Sequence, residues 1–236
     1  MALRSRRRPE DLADTFREFA FFEDVGDAEL QTLAAMALCH DYPKNNILTY
    51  RGDPAASVFL VLSGRMKITL TNDEGREVIV SLLGPGGMFG LTSAVDGGAQ
   101  LASAVTVEKS TIAKFNGKAF IRWTGSSPET RAAFVQDLTA KIRDLCQKIG
   151  EHALLSAKDR LLLTLLEIAE AEGEQEPGGT EVLFTRPTHQ ELAQRIGSSR
   201  EVVTRLLAEL MDSELLEADE GRVIRVPLSA LVLRDD

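Results

Sequence analysis

The sequence predicts an α+β chain: an N-terminal antiparallel β-roll, a long dimerisation helix and a C-terminal winged helix-turn-helix. Three observations predict it. Short apolar runs separated by glycine-bearing turns crowd residues 41–116. Apolar residues recur at heptad spacing from Val135 onward. Two amphipathic helical stretches flank Gly197-Ser198-Ser199. The boundaries that follow are 1–126 for an effector-type roll with flanking helices, 127–156 for the dimerisation helix and 157–236 for the winged helix-turn-helix.

Leu12, Phe16, Phe19 and Ala20 are spaced for a helix over 11–22, and Leu30, Leu33, Ala34 and Ala37 for a second over 27–38. The runs 47–48, 58–62, 66–70, 78–80, 102–107 and 111–115 read as short strands. Gly52-Asp53-Pro54, Ser63-Gly64 and the stretches 72–75, 84–87 and 96–98 supply turns between them. Strands this short and close argue for a small antiparallel roll. Ser127 and Pro128 open the next helix as N-cap and first-turn residue. Along it Val135, Leu138, Ile142, Leu145, Ile149 and His152 lie 3, 4, 3, 4 and 3 residues apart. One amphipathic helix lying on its own domain would show such a stripe too, but a seam this narrow more often pairs with a copy of itself. The helical pattern continues to Glu170, and an acidic, glycine-rich loop at 172–179 breaks it. Thr188 and Glu191 have the form of a capping box, starting a helix that buries Leu192, Ala193 and Ile196. A second helix over 200–211 turns Val202, Val203, Leu206, Leu207 and Leu210 inward, and 217–226 reads as a turn and strand, the wing.

At 236 residues, 44% hydrophobic and 27% charged, the chain can build real cores and is not a disordered tail. No apolar run approaches the roughly 20 residues that span a bilayer, so no membrane partner is expected. The basic start lacks the apolar core of a secretory signal, and Arg4–Arg8 reads as a disordered tail. Cys39 and Cys146 are too few for a disulfide scaffold or a thiolate metal cluster within one chain. No metal site is expected, and the cytoplasm is the natural compartment. The net charge of −9 argues against nucleic acid at first sight, the more so because residues 157–236 hold 9 basic and 17 acidic side chains. Those acids cluster in 167–181 and near the wing and C-terminus, away from the exposed face of the second helix. Screening over roughly 8–10 Å lets a local arginine face act against them.

The first turns of that second helix occupy the place that enters a major groove. They carry Ser199, Arg200, Glu201 and Arg205 as candidate base readers. Each arginine can donate two hydrogen bonds to guanine O6 and N7, and Glu201 can accept from cytosine N4. Thr188, His189, Gln190, Ser198 and Thr204 suit phosphate oxygens. The arginines could equally be solvated surface charges. The apolar residues on the opposite face leave both exposed on one side, which favours reading.

These residues resemble the Crp–Fnr family of transcription regulators, and the resemblance covers nearly the whole chain. Its specific part is Thr188-x-Gln190-Glu191-Leu192-Ala193 to Gly197-x-Ser199-Arg200-Glu201-x-Val203-x-Arg205. In the roll, Gly52-Asp53, Ser63-Gly64, Gly75-Arg76-Glu77 and Pro85-Gly86-x-x-Phe89-Gly90 resemble a cyclic-nucleotide-binding domain. The resemblance implies a cytoplasmic homodimer on double-stranded DNA with a palindromic TGTGA-like site, read by Arg200, Glu201 and Arg205. It also implies the seam helix as interface and RNA polymerase as a partner.

At the effector site the sequence departs from that pattern. Leu91 stands where cyclic-nucleotide binders have a ribose-holding Glu, and Gln100 or Leu101 where they have a phosphate-holding Arg. No Lys or Arg occurs from Glu77 to Glu108. Desolvating a phosphate without a counter-charge costs several kcal/mol, although backbone N–H groups near Gly90, Leu91 and Thr92 can hold an anion weakly. Cyclic AMP is therefore not expected, and the effector is an unknown small molecule or none. The candidate pocket residues are Gly90, Leu91, Thr92, Gln100, Leu101, Leu145 and Cys146. Cys146 reads either as a sensing thiol or, more simply, as a small buried residue. His152 as a haem or metal ligand rests on a single residue, and His40 beside Cys39 reads as structural. No nucleophile–base pair, metal cluster or phosphate loop marks an enzyme. The competing function is a ligand-binding regulator whose helix-turn-helix contacts protein rather than DNA.

Overall fold

The computed structural model describes residues 3–4, 8–54, 56–175, 180–213, 216–218 and 221–227. The chain folds as two compact units, Met1–Asp144 and Leu145–Asp236.

The first unit runs β1 (Leu3–Arg4), α1 (Pro9–Arg17), α2 (Asp27–Met36), β2 (Leu38–Tyr42), β3 (Ile47–Thr49), β4 (Ser57–Ser63), β5 (Met66–Thr71), β6 (Glu77–Leu83) and β7 (Met88–Phe89). It continues through α3 (Leu91–Asp96), β8 (Ser103–Thr106), β9 (Ser110–Asn116), α4 (Gly117–Thr124) and into α5 (Pro128–Leu154). Two antiparallel sheets form, in the orders β1-β2-β9-β4-β7 and β3-β8-β5-β6. The unbroken apolar run of β4 is explained by burial on both faces. Val58, Leu60 and Leu62 enter a core with Leu12, Phe16, Leu30, Phe120 and Trp123. Phe59 and Val61 point the other way, into the roll with Met66, Ile68, Ala104 and Ile112. The Trp123 indole N–H donates to the Glu29 carbonyl at 2.9 Å, which satisfies the one polar atom of that ring.

Three expectations change here. The helix expected over 11–22 stops at Arg17, Phe19 is extended, and Ala20–Phe22 is a short 3-10 turn. Phe16 and Phe22 stack with ring centroids 5.2 Å apart. Six residues along a straight helix would turn them about 240° from each other, so the chain must break to bring both into one core. Helix α4, unread in the sequence, is started by the Asn116 side chain accepting from the Ala119 N–H. The basic start is not simply a tail: Leu3 and Arg4 pair with Asp41 and His40 of β2, and Arg8 pairs with Asp11 at 3.0 Å. Residues 5–7 lie outside the described residues.

Helix α5 buries only Thr130 and Ala133. Val135 (56% exposed), Ile142 (61%), Leu145 (45%) and Ile149 (68%) lie open along it, with Leu138 half-buried.

The second unit continues from α5 into α6 (Ala157–Glu172), β10 (Glu174–Gln175), β11 (Glu181–Thr185), α7 (His189–Ile196), α8 (Arg200–Asp212), β12 (Glu217–Ala218) and β13 (Val223–Pro227). Its sheet has the order β10-β11-β13-β12, and Leu161, Leu165, Leu192, Ile196, Val203, Leu207, Leu210 and Ile224 share one core. The helix expected to run on to Glu170 is interrupted. Ser156 caps α6, its hydroxyl accepting from the Asp159 N–H while the Asp159 carboxylate accepts from the Ser156 N–H, each at 3.2 Å. Strands β10 and β11 hold the two ends of the expected loop together, and 176–179 lie outside the described residues.

Candidate nucleic-acid interface

The Thr188 hydroxyl accepts from the Glu191 N–H, and the Glu191 carboxylate accepts from the Thr188 N–H, which starts α7. Gly197 ends it at φ +64, a left-handed conformation, where an added Cβ would lie 2.9 Å from His152 Cε1. The Ser199 hydroxyl then accepts from the Val202 N–H and starts α8. With both ends capped, the apolar pattern sets the rotation of α8. Val203, Leu206, Leu207 and Leu210 are buried, and Arg200, Glu201, Thr204 and Arg205 are exposed. The four base-reading candidates therefore share one end and one open side of α8, although the Ser199 hydroxyl already serves as the helix cap. Arg205 pairs with Glu209 at 2.9 Å, an exposed i,i+4 contact worth only about 0.3–0.5 kcal/mol and readily exchanged for a base edge. The backbone N–H and the Ser199 hydroxyl hold the Glu201 carboxyl below its usual range, so it is an acceptor at neutral pH.

Of the phosphate candidates, Gln190 is exposed and Ser198 half-buried. Thr188 is committed to the capping box. His189 and Thr204, read separately in the sequence, are joined: Nδ1 lies 2.7 Å from the Thr204 hydroxyl. Two residues of this surface were missed. The Arg186 N–H donates to the Arg222 carbonyl at 3.0 Å, beside the β11–β13 pairing. Burial and the nearby Arg222 charge pull Arg186 below its ordinary value. Burial, Arg186 and Arg200 do the same to His189. Cations crowded this closely form a patch suited to an anion. Only the strand pairing brings Arg186 and Arg222 together, so spacing in the sequence carries no signal of it.

The effector candidates of the first unit gather around α3. Gly90, at φ +92, precedes it, and an added Cβ would lie 2.5 Å from the Ser57 carbonyl oxygen. Leu91 is buried and Thr92 exposed. Gln100 is buried, its amide donating to the Ser57 carbonyl at 3.3 Å and accepting from the Ser93 hydroxyl at 3.4 Å, whereas Leu101 is 60% exposed. Leu145 and Cys146 belong to the second unit. Cys146 is exposed, which corrects the expectation of a small buried residue: it lies beside the seam, on a stretch of α5 that covers no core. His152 lies against Gly197, and His40 Nδ1 lies 3.3 Å from the Leu38 carbonyl in β2. Among the described residues no group of His, Cys, Asp and Glu could hold a metal ion, and no helix is long and apolar enough to cross a membrane.

Residues 39–126 match the cyclic nucleotide-binding domain family, and residues 159–231 the Crp-like helix-turn-helix domain family. The chain is 27% identical over 188 residues to a CRP-like cAMP-activated global transcriptional regulator of Mycobacterium tuberculosis, covering 80% of this chain and 84% of that one. It is 29% identical over 189 residues to the cAMP-activated global transcriptional regulator CRP of Haemophilus influenzae, covering 79% and 83%. Among solved structures, the c-di-GMP responsive global regulator CLP of Xanthomonas campestris aligns with a TM-score of 0.74 and 24% identity over 86% of this chain and 99% of that one. FixK2 of Bradyrhizobium japonicum aligns with a TM-score of 0.69 and 19% identity over 84% and 96%.

Proposed function

The chain belongs to the Crp–Fnr family of transcription regulators, and from that premise we propose that it acts as a homodimer on a palindromic TGTGA-like site without control by cyclic AMP. That it is a DNA-binding regulator of the Crp–Fnr type follows from its two domain matches and its relatives. The observation that carries the finer reading is the exposed side of α8, where Arg200, Glu201 and Arg205 stand opposite the buried Val203, Leu206, Leu207 and Leu210. Arg200 and Arg205 read guanine edges, Glu201 a cytosine amine, and Arg186, Arg222, Gln190 and His189 hold phosphates.

Dimerisation is supported by the seam of α5. Burying a Leu or Ile that is otherwise exposed is worth about 1.5–3 kcal/mol, and the seam offers several such side chains per chain. A pair of reading helices about 34 Å apart, one DNA turn, then meets two half-sites.

Cyclic AMP does not fit the residues around α3. The two positions that would hold the ribose and the phosphate carry a buried Leu91 and a Gln100 already hydrogen-bonded to Ser57 and Ser93, with an exposed Leu101 beside it. A cyclic phosphate there would lack its counter-charge. The decisive measurement is fluorescence anisotropy on a palindromic TGTGA duplex, with and without cyclic AMP. Specific binding that changes less than about twofold with the nucleotide is expected. A tenfold or larger gain would overturn cyclic AMP independence, and no preference over a scrambled duplex would overturn the site assignment.

A further inference from the structure

We propose that His189 is a proton-linked phosphate contact, so that each half-site takes up a proton when DNA binds. The inference rests on the reading of this surface as a DNA interface and adds its chemistry. The Thr204 hydroxyl donates to the Arg200 carbonyl one helical turn back, at 2.9 Å. Its single hydrogen is thereby used, and only a lone pair remains to face His189 Nδ1 at 2.7 Å. From that pairing we infer that the ring proton sits on Nδ1. Neutral His189 then presents an unprotonated Nε2, which makes no hydrogen bond among the described residues. An unprotonated nitrogen accepts and cannot donate, and a phosphate oxygen only accepts. The two are mismatched until Nε2 takes a proton, which turns it into a charged donor.

The groups around the ring set the direction. Arg186 lies before α7 and Arg200 on α8, and both oppose a charge on His189, as does burial. Arg222, in the segment before β13, acts on Arg186, whose charge it opposes. The nearby acid, Glu191, is committed to the Thr188 N–H and hydroxyl. The ring of the free protein is thus held neutral below its ordinary range, and an arriving phosphate reverses that preference. Affinity must rise as pH falls between the free and bound titrations.

The test is anisotropy of the full chain on the palindromic duplex at fixed salt, from pH 6 to pH 8. Linkage permits about a tenfold change per pH unit for each histidine at the steepest point. Wild type is expected to lose about ten- to a hundredfold in affinity over this range. His189→Arg, charged throughout, should lose less than about threefold. Thr204→Val frees Nδ1 to give up its proton, lets the neutral ring donate through Nε2, and should flatten the profile. Calorimetry in two buffers of different ionisation enthalpy should count protons taken up by wild type and none by His189→Arg. Matching thermal melts show that the variants fold. A flat wild-type profile, or identical profiles for wild type and His189→Arg, would overturn the proposal. Absence of duplex binding at every pH in low salt would overturn the DNA reading and this proposal with it.

Discussion

The cyclic nucleotide-binding domain and the helix-turn-helix domain use one local device in two different settings. Each sets a short helix behind a turn, the left-handed Gly90, which has no side-chain cap, before α3 and the Thr188 capping box before α7. Around α3 the segment from Glu77 to Glu108 contains no cation, and its buried polar side chains, Ser93, Gln100 and Thr106, are hydrogen-bonded to backbone carbonyls. Around α7 and α8 stand Arg186, Arg200, Arg205, Arg222 and His189, several close enough to disturb one another's titration. The fold is shared with the relatives, and the cations that cluster around α7 and α8 have no counterpart in residues 77–108 around α3.

Substitutions can break or sharpen that contrast. The largest effect is expected from Arg200→Ala. A bidentate arginine–guanine pair is worth about 1–3 kcal/mol, so a palindrome should lose roughly thirtyfold to ten-thousandfold in specific affinity, read by anisotropy on cognate and scrambled duplexes. Next comes Ile142→Asp in the exposed seam. Sedimentation should show monomers at micromolar concentration, with DNA affinity falling at least about tenfold while the thermal midpoint of the roll stays put. Arg222→Ala should weaken all duplexes alike by about tenfold or less, and lower the slope of log affinity against log salt by about one per half-site. Gly197→Ala forces a side chain into a left-handed position and against His152, and should destabilise the second unit by about 1–2 kcal/mol in a thermal melt. The smallest effect tests the empty side of the comparison. Leu101→Arg restores a cation at an exposed position, so stability should change by less than about 0.5 kcal/mol. A strong gain in cyclic AMP binding from that single change would show that one charge was all the roll lacked.

What could be read from sequence was what spacing encodes. The capping box of α7 and the inward face of α8 each depend on residues within one or two turns of each other, and each stands where it was expected, while the apolar stripe of α5 lies largely exposed along its helix. The Ser156–Asp159 cap is as local, yet the apolar residues on both sides keep a helical period and hid the break. The short helix at Gly117–Thr124 was hidden in the same way, since Asn116 ends a strand and caps a helix at once. Contacts between distant segments could not be read at all. Arg186 meets Arg222 only through strand pairing, and His189 meets Thr204 only because α7 and α8 share a core. Cys146 was misjudged because burial follows from what covers a helix, which the helix's own residues do not specify.

Strand β4 belongs to two cores, with alternate residues committed to each. Neither layer of the roll can therefore melt while the other survives. The amides of β4 and its partner β9 should exchange with deuterium only when the whole roll opens, as the slowest in that domain. Any compound lodged on either side of that strand would raise the unfolding temperature of both sides together, so a single melting transition reports occupancy wherever the compound sits.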